Sequence, residues 1–192
     1  MAKRVFFSFH YQDVIDFRAN VVRNHWFTKP GREDAGFFDA SLWEDAKKQG
    51  DPSIKRLIND GIQNTSATVV LVGSQTYNRR WVRYEIIKSL QKGNRLIAIH
   101  INSIKGRDGC VKVSGPNPFE YLGVRYSDNG NRLELYEYRN GRWISYRDLS
   151  SYELIRKAPV EMRGRFHKIS DSYSIYDWVR SDGYNRFSEW VS

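Results

Sequence analysis

Cysteine is nearly missing from this chain: of 192 residues, only Cys110 carries a thiol. No internal disulfide can form, and a reducing cytoplasm is the expected home. Cys110 sits in GRDGC without a paired histidine, so no catalytic role is expected of it. Histidine is scarce too. His10, His25, His100 and His167 are scattered without ligand spacing, so a metal site is not expected. No run of about 18 apolar residues exists, which excludes a membrane-spanning helix. The opening MAKRVFFSFHYQDV begins basic, but its apolar stretch is too short for a signal peptide. Repeats, low-complexity tracts and linkers are also lacking. One domain is therefore expected, with a core over 1–118 and a C-terminal elaboration over 119–192 packed on it.

What the chain does have is basic charge and aromatic mass. Lys and Arg number 31 against 22 acids, for a net charge of +9, and aromatics make up 15% of the residues. The charge is spread along the chain rather than gathered in an arm, and no helix-turn-helix or RRM signature appears. It favours an anionic partner, a dinucleotide included, more than a nucleic acid.

RVFFSF (4–9) is a dense apolar run of the kind that forms a buried parallel strand. Val14, Phe17, Val21, Val22 and Trp26 then recur at helical spacing, with Asp13 as the expected N-cap. KPGREDAG (29–36) reads as a loop and FFDAS (37–41) as a second strand. Asp51 as N-cap and Pro52 at the first helical position start a helix carrying Ile54, Leu57, Ile58 and Ile62. ATVVLVG (67–73) is the best strand, followed by a helix from about Asn78 to Lys92 that stops at Gly93-Asn94, and then by the strand RLIAIHIN (95–102). This β-α-β order demands an α/β fold, a parallel sheet with helices on both faces. Beyond it, YLGVRYSDNGNRLELYEYRNGRWISYRD alternates apolar and polar residues around Asp128-Asn129-Gly130 and Asn140-Gly141. That is an antiparallel meander of about three strands. A terminal helix closes the chain, with Ile175, Trp178 and Val179 as its packed face.

In open α/β sheets, ligands bind beyond the carboxyl ends of the strands where strand order reverses. For an order 2-1-3-4-5 that crevice lies between strands 1 and 3, here at Ser8-Phe9-His10 and Gly73-Ser74. The helix after strand 3 carries Tyr77, Trp81 and Glu85 at i, i+4 spacing. They form a stripe about 40° per step beside the core face of Val82, Ile86 and Leu90. Glu85 is the only acid near this crevice on a rigid helix. Spacing alone leaves it open whether Glu85 has any task beyond solvation.

Two segments resemble a known family. VFFSFHYQD is similar to the first strand and loop of TIR domains, and SQTYNRRWVRYEI to their third-strand loop and helix, with Trp81 four residues before Glu85. The Tyr77–Trp81 interval is one residue shorter than in many plant-type TIR sequences, and Arg79-Arg80 replace the usual second serine, as in divergent bacterial TIR-like proteins. FDASLWEDAKK, GPNPFEYLG and the closing YDWV…DGYN extend the resemblance to nearly the whole chain. The chain as a whole resembles the TIR-like signal-generating subunit of the Thoeris anti-phage defence system.

The resemblance implies a flavodoxin-like TIR fold and an enzyme that consumes NAD when phage infection is sensed. It would release nicotinamide and make a cyclic ADP-ribose isomer that switches on a separate effector protein. NAD is then substrate, and no cofactor is implied. The partners implied are a phage-derived trigger, the effector reached through the diffusible nucleotide, and other copies of the chain. Glu85 would be the catalytic carboxylate, since breaking the ribose–nicotinamide bond builds positive charge on the ribose. Trp81, Phe9 and Trp43 are candidate flat walls for a ligand folded back on itself. Ser8 and Ser74 could bind ribose or phosphate, His10 could contact phosphate or steer a hydroxyl, and Tyr77 could flank the ligand. Arg79, Arg80 and Arg83 could meet the pyrophosphate or form a solvated or protein-contact face. Asp39 and Trp43 fall where TIR domains carry a mobile, self-associating loop. Three rivals stay open: a non-catalytic TIR-like interaction module, a nucleoside deoxyribosyltransferase-like enzyme, and a basic nucleic-acid binder.

Overall fold

The computed structural model describes residues 3–36 and 40–192. In chain order the elements are β1 (Lys3–Ser8), α1 (Tyr11–Ile15), α2 (Arg18–Phe27), β2 (Arg32–Ala35), α3 (Ala40–Gln49), α4 (Asp51–Ile62), β3 (Ala67–Val72), α5 (Arg80–Lys92) and β4 (Arg95–His100). Then follow β5 (Leu122–Tyr126), β6 (Arg132–Arg139), β7 (Arg142–Ser145), β8 (Tyr152–Glu153), β9 (Phe166–Lys168), β10 (Ile175–Asp177) and α6 (Gly183–Trp190).

Five strands form a parallel sheet in the order β10-β4-β3-β1-β2. Its inner strands are apolar on both faces because helices cover both. Val5, Phe7, Val69, Leu71, Ile97 and Ile99 meet Ala19, Val22 and Trp26 of α2 and Phe187 and Trp190 of α6. On the opposite face, Val70, Val72, Leu96 and Ala98 meet Val82, Ile86 and Ile87 of α5, together with Leu122, Val124, Leu133 and Leu135 of the meander. Phe6 joins Ile54, Ile58 and Ile62 of α4 and Tyr84 of α5 on that same face. The second sheet is antiparallel, β7-β6-β5-β9, with β8 on β6. The architecture is the expected one: a TIR-type parallel sheet between helices, an antiparallel sheet and a terminal helix.

Several local expectations change. The second strand is Arg32–Ala35, inside the stretch read as a loop. It is a short edge strand whose charge hid its pairing with β1, and Arg23 bonds Asp34 on it. Of the expected strand 37–41, Phe37–Asp39 lies outside the described residues, and from Ala40 onward the chain is helical. Asp13 does not cap a long helix. The chain breaks at Phe17, which adopts φ 66°, and α1 and α2 are separate. Asp13 is instead buried against Gly73, where a Cβ would lie 2.1 Å from its Oδ1, so only glycine fits there. Gly50 rather than Asp51 caps α4, one residue earlier than expected. Ile175 lies in a fifth parallel strand rather than on a terminal helix, so the C-terminal segment returns to complete the core sheet beside β4. Trp178 is fully buried as expected, whereas Val179 is exposed.

Candidate active site

The strand order puts the reversal between β1 and β3, and there the chain leaves room. A cavity of about 390 Å³, within the range of small-molecule sites, opens beyond the carboxyl end of β1. Phe9 and His10 from the β1 loop, Trp43 and Lys47 from α3, and Arg79, Arg80, Trp81 and Glu85 around α5 line it. Gly36 forms part of the wall at φ +89°, its backbone against β1. A Cβ there would fall 2.2 Å from the Phe7 carbonyl oxygen.

Glu85 sits deeper than a helix-rim residue. Val82, Arg83, Tyr84, Ile86, Ile87 and Ser89 are all buried with it, because α5 is enclosed by the sheet, α4 and the meander. Glu85 itself is 7% exposed, and that opening faces the cavity. Ser8, at the last position of β1, donates a 2.5 Å hydrogen bond to Oε2. Burial pushes the Glu85 carboxyl up to about 8, and the Ser8 hydroxyl works against that rise by stabilising the charged form. The site thus holds a carboxyl short of solvation, with one oxygen anchored, on a helix too enclosed to give way.

The flat walls come from separate elements. Trp81 stands at the start of α5, with the Arg80 guanidinium 4.5 Å from its ring centroid and Tyr84 edge-on at 6.0 Å. These two neighbours fix its plane. Trp43 and Phe9 line the same cavity from α3 and the β1 loop. His10 is held below its ordinary pKa, first by burial and then by the nearby Arg79 charge, which favours its neutral form.

Of the eight expected site residues, the structure brings Phe9, His10, Trp43, Trp81 and Glu85 to the cavity and sets Ser8 directly behind Glu85. Tyr77 and Ser74 lie elsewhere. Tyr77 belongs to the 3-10 turn Thr76–Asn78 that precedes α5, so the i, i+4 stripe starts only at Trp81. Its ring packs on Tyr121 at 4.8 Å. Ser74 is bound into the loop after β4, donating to the Val113 carbonyl and accepting from Asn102. Lys47 and Gly36 were not foreseen. Lys47 has no sequence signal, because ASLWEDAKKQ in α3 is mostly polar and small and shows no long apolar stripe that would mark a helix.

The three arginines separate into different roles. Arg83 is buried, donating to Glu137 Oε2 on β6 at 2.7 Å and to the Tyr77 carbonyl at 3.1 Å. Arg80 grips Asp148 through two hydrogen bonds of 2.9 and 2.6 Å and also reaches Asp51. Arg79 is exposed and lines the cavity.

Comparison with known proteins shows the family. The model of the family described as Thoeris protein ThsB, TIR-like domain, matches residues 6–105, a span running from β1 past β4 and containing every cavity-lining residue named above. Over all 192 residues, and the full length of both chains, the sequence is 62% identical to a protein of Bacillus cereus (strain MSX-D12) provisionally named cyclic ADP-D-ribose synthase ThsB1. With a parallel sheet in TIR order, Trp81 and Glu85 on the helix after β3, and identity of that extent, the chain belongs to the ThsB family of TIR-like Thoeris proteins.

Proposed function

We propose that the protein cleaves NAD at the bond between ribose and nicotinamide and closes the remaining ADP-ribose into a cyclic isomer. The observation that carries this reading is the buried carboxyl of Glu85, anchored by Ser8 and open only to a cavity with tryptophan walls. The name of the Bacillus cereus relative, a cyclic ADP-D-ribose synthase, supports the same chemistry.

In this reading the anomeric carbon–nitrogen bond breaks with both electrons going to nicotinamide, which leaves neutral and needs no acid. Positive charge builds on the ribose ring, and the Glu85 carboxylate stabilises it or traps it covalently. An atom of the adenosine end then attacks the same carbon, releasing the Glu85 carboxylate where a bond to it has formed, and passes its proton to that carboxylate or to water. Trp81, Trp43 and Phe9 favour the folded ligand by stacking. Substrate also changes the charge balance around Glu85. The cationic nicotinamide ring of NAD, placed beside Glu85, offsets the burial that holds the carboxyl protonated, so binding favours its ionisation.

The cyclic nucleotide would act as a second messenger to a separate effector in anti-phage defence, with a phage-derived trigger upstream. NAD enters as substrate and no further cofactor takes part. A cytoplasmic setting fits, since among the described residues no helix is long and apolar enough to cross a membrane. Self-association is part of the proposal: Tyr11, which lines the cavity, and Ile15, one turn further along α1, are both about half exposed.

The test is Glu85→Gln in phage-infected cells, with filtered lysates compared by mass spectrometry at equal protein level. The expected outcome is loss of the cyclic ADP-ribose signal. An unchanged signal in the Gln variant overturns the assignment.

A further inference from the structure

Four cationic or titratable basic groups line the cavity: His10, Lys47, Arg79 and Arg80. Their partners differ. Arg80 is neutralised by Asp148 and Asp51 and spends its guanidinium face on Trp81. Lys47 pairs with Glu44 at 2.8 Å. His10 is held toward its neutral form by burial and by Arg79. Arg79 has no side-chain hydrogen bond or ion pair among the described residues, yet it lies close enough to His10 to act on it electrostatically. It stands at the start of α5, six residues before Glu85, or about 9 Å along the helix axis.

An NAD molecule whose scissile ribose faces Glu85 carries its diphosphate one ribose away, attached through the 5′ carbon. A buried carboxyl tolerates a dianion at that range only where a cation stands between them or beside it. Resting on the reading given under the proposed function, we infer that Arg79 is the residue that binds the diphosphate of NAD, while Arg80 and Arg83 hold the scaffold. The planar fork of Arg79 suits two phosphate oxygens at once. The diphosphate persists unchanged from substrate through transition state to cyclic product. Arg79 therefore contributes to binding at every stage and little to the bond-breaking step.

Calorimetric titration of purified native protein, Arg79→Gln, Arg79→Lys and Arg80→Gln tests this with two ligands. ADP-ribose carries the diphosphate, whereas nicotinamide riboside carries the scissile bond without it. Arg79→Gln is expected to weaken ADP-ribose binding about 10- to 100-fold, the cost of a lost charge-assisted contact, and to leave nicotinamide riboside binding unchanged. Arg79→Lys should recover part of the loss, since charge returns without the fork. Equal weakening of both ligands, or unchanged ADP-ribose affinity in Arg79→Gln, overturns the assignment. So does a selective ADP-ribose defect in Arg80→Gln that matches or exceeds that of Arg79→Gln. Failure of the catalytic reading looks different: Glu85→Gln would keep producing cyclic nucleotide in infected cells while the ADP-ribose defect of Arg79→Gln persisted.

Discussion

The carboxyl of Glu85 makes the fold's stability depend on pH in a way that a single substitution removes. In the folded chain its pKa is about 8, against 4.5 for the free side chain. Between those values the folded state holds a proton that the unfolded state has released, so stability falls as pH rises through the window. Each pKa unit corresponds to about 1.4 kcal/mol, so the full displacement is on the order of 5 kcal/mol, and roughly 3 kcal/mol of it has accumulated by pH 7. Glu85→Gln keeps the shape, still accepts from Ser8 and cannot titrate. The stability of the Gln variant minus that of the native chain should be level below about pH 4.5, climb through neutrality and flatten above pH 8. Asp13, which burial raises to about 6, is present in both chains and drops out of the difference. Urea unfolding of both proteins at pH 5, 6, 7, 8 and 9 measures it, with equal slopes against urea confirming comparable unfolded states. A difference that stays flat from pH 5 to 8 would refute the reasoning, because Glu85 would then ionise in the fold as easily as in water.

Two further outcomes follow from individual contacts. Ser8→Ala removes the hydroxyl that favours the charged form of Glu85. The acidic limb of kcat/KM for NAD cleavage should move up by about one pH unit, cutting activity roughly tenfold at pH 7 and about twofold at pH 9; a loss of equal size at every pH would instead mark Ser8 as a simple binding contact. Glu137→Ala leaves the Arg83 charge buried without its carboxylate, both side chains being about 5% exposed, and should cost about 3–5 kcal/mol in urea unfolding, most of it recovered when Arg83→Met is added; a single-variant cost below about 1 kcal/mol would show that solvent reaches Arg83.

The inner strands could be read directly because their signal is continuous. VFF in β1, ATVVLV in β3 and LIAI in β4 are apolar on both faces, as only a strand covered by helices on both sides needs to be. Edge elements were harder to read. REDA in β2 has no apolar pattern, since an edge strand pairs through backbone and leaves its side chains free to be charged. IYD in β10 is three residues long, too short to show a period beside the terminal helix, and only its pairing with β4 makes it a strand. The site divided in the same way. Glu85 and Trp81 lie at fixed helical spacing, so their neighbourhood follows from the sequence once the helix is granted. Tyr77 falls off this stripe because the chain is a 3-10 turn over Thr76–Asn78 and the α-helix begins only at Arg80.

What the sequence determined by itself is local and periodic: the parallel α/β core, its switch point at Ser8–His10 and Gly73–Ser74, and the acid on the helix beyond. Tertiary structure decided the electrical state of each charged group. Glu85, Arg80 and Arg83 differ from ordinary surface charges only through what surrounds them: apolar burial and Ser8, 77 residues away; Asp148, 68 residues away; Glu137, 54 residues away. A charge's free energy depends on solvent and on partners within a few ångströms, and chain order does not encode which distant residues those will be. Three arginines that read alike in sequence became a buried strut, a neutralised clamp on Trp81 and an open cation at the cavity, because the fold gave acids to two of them.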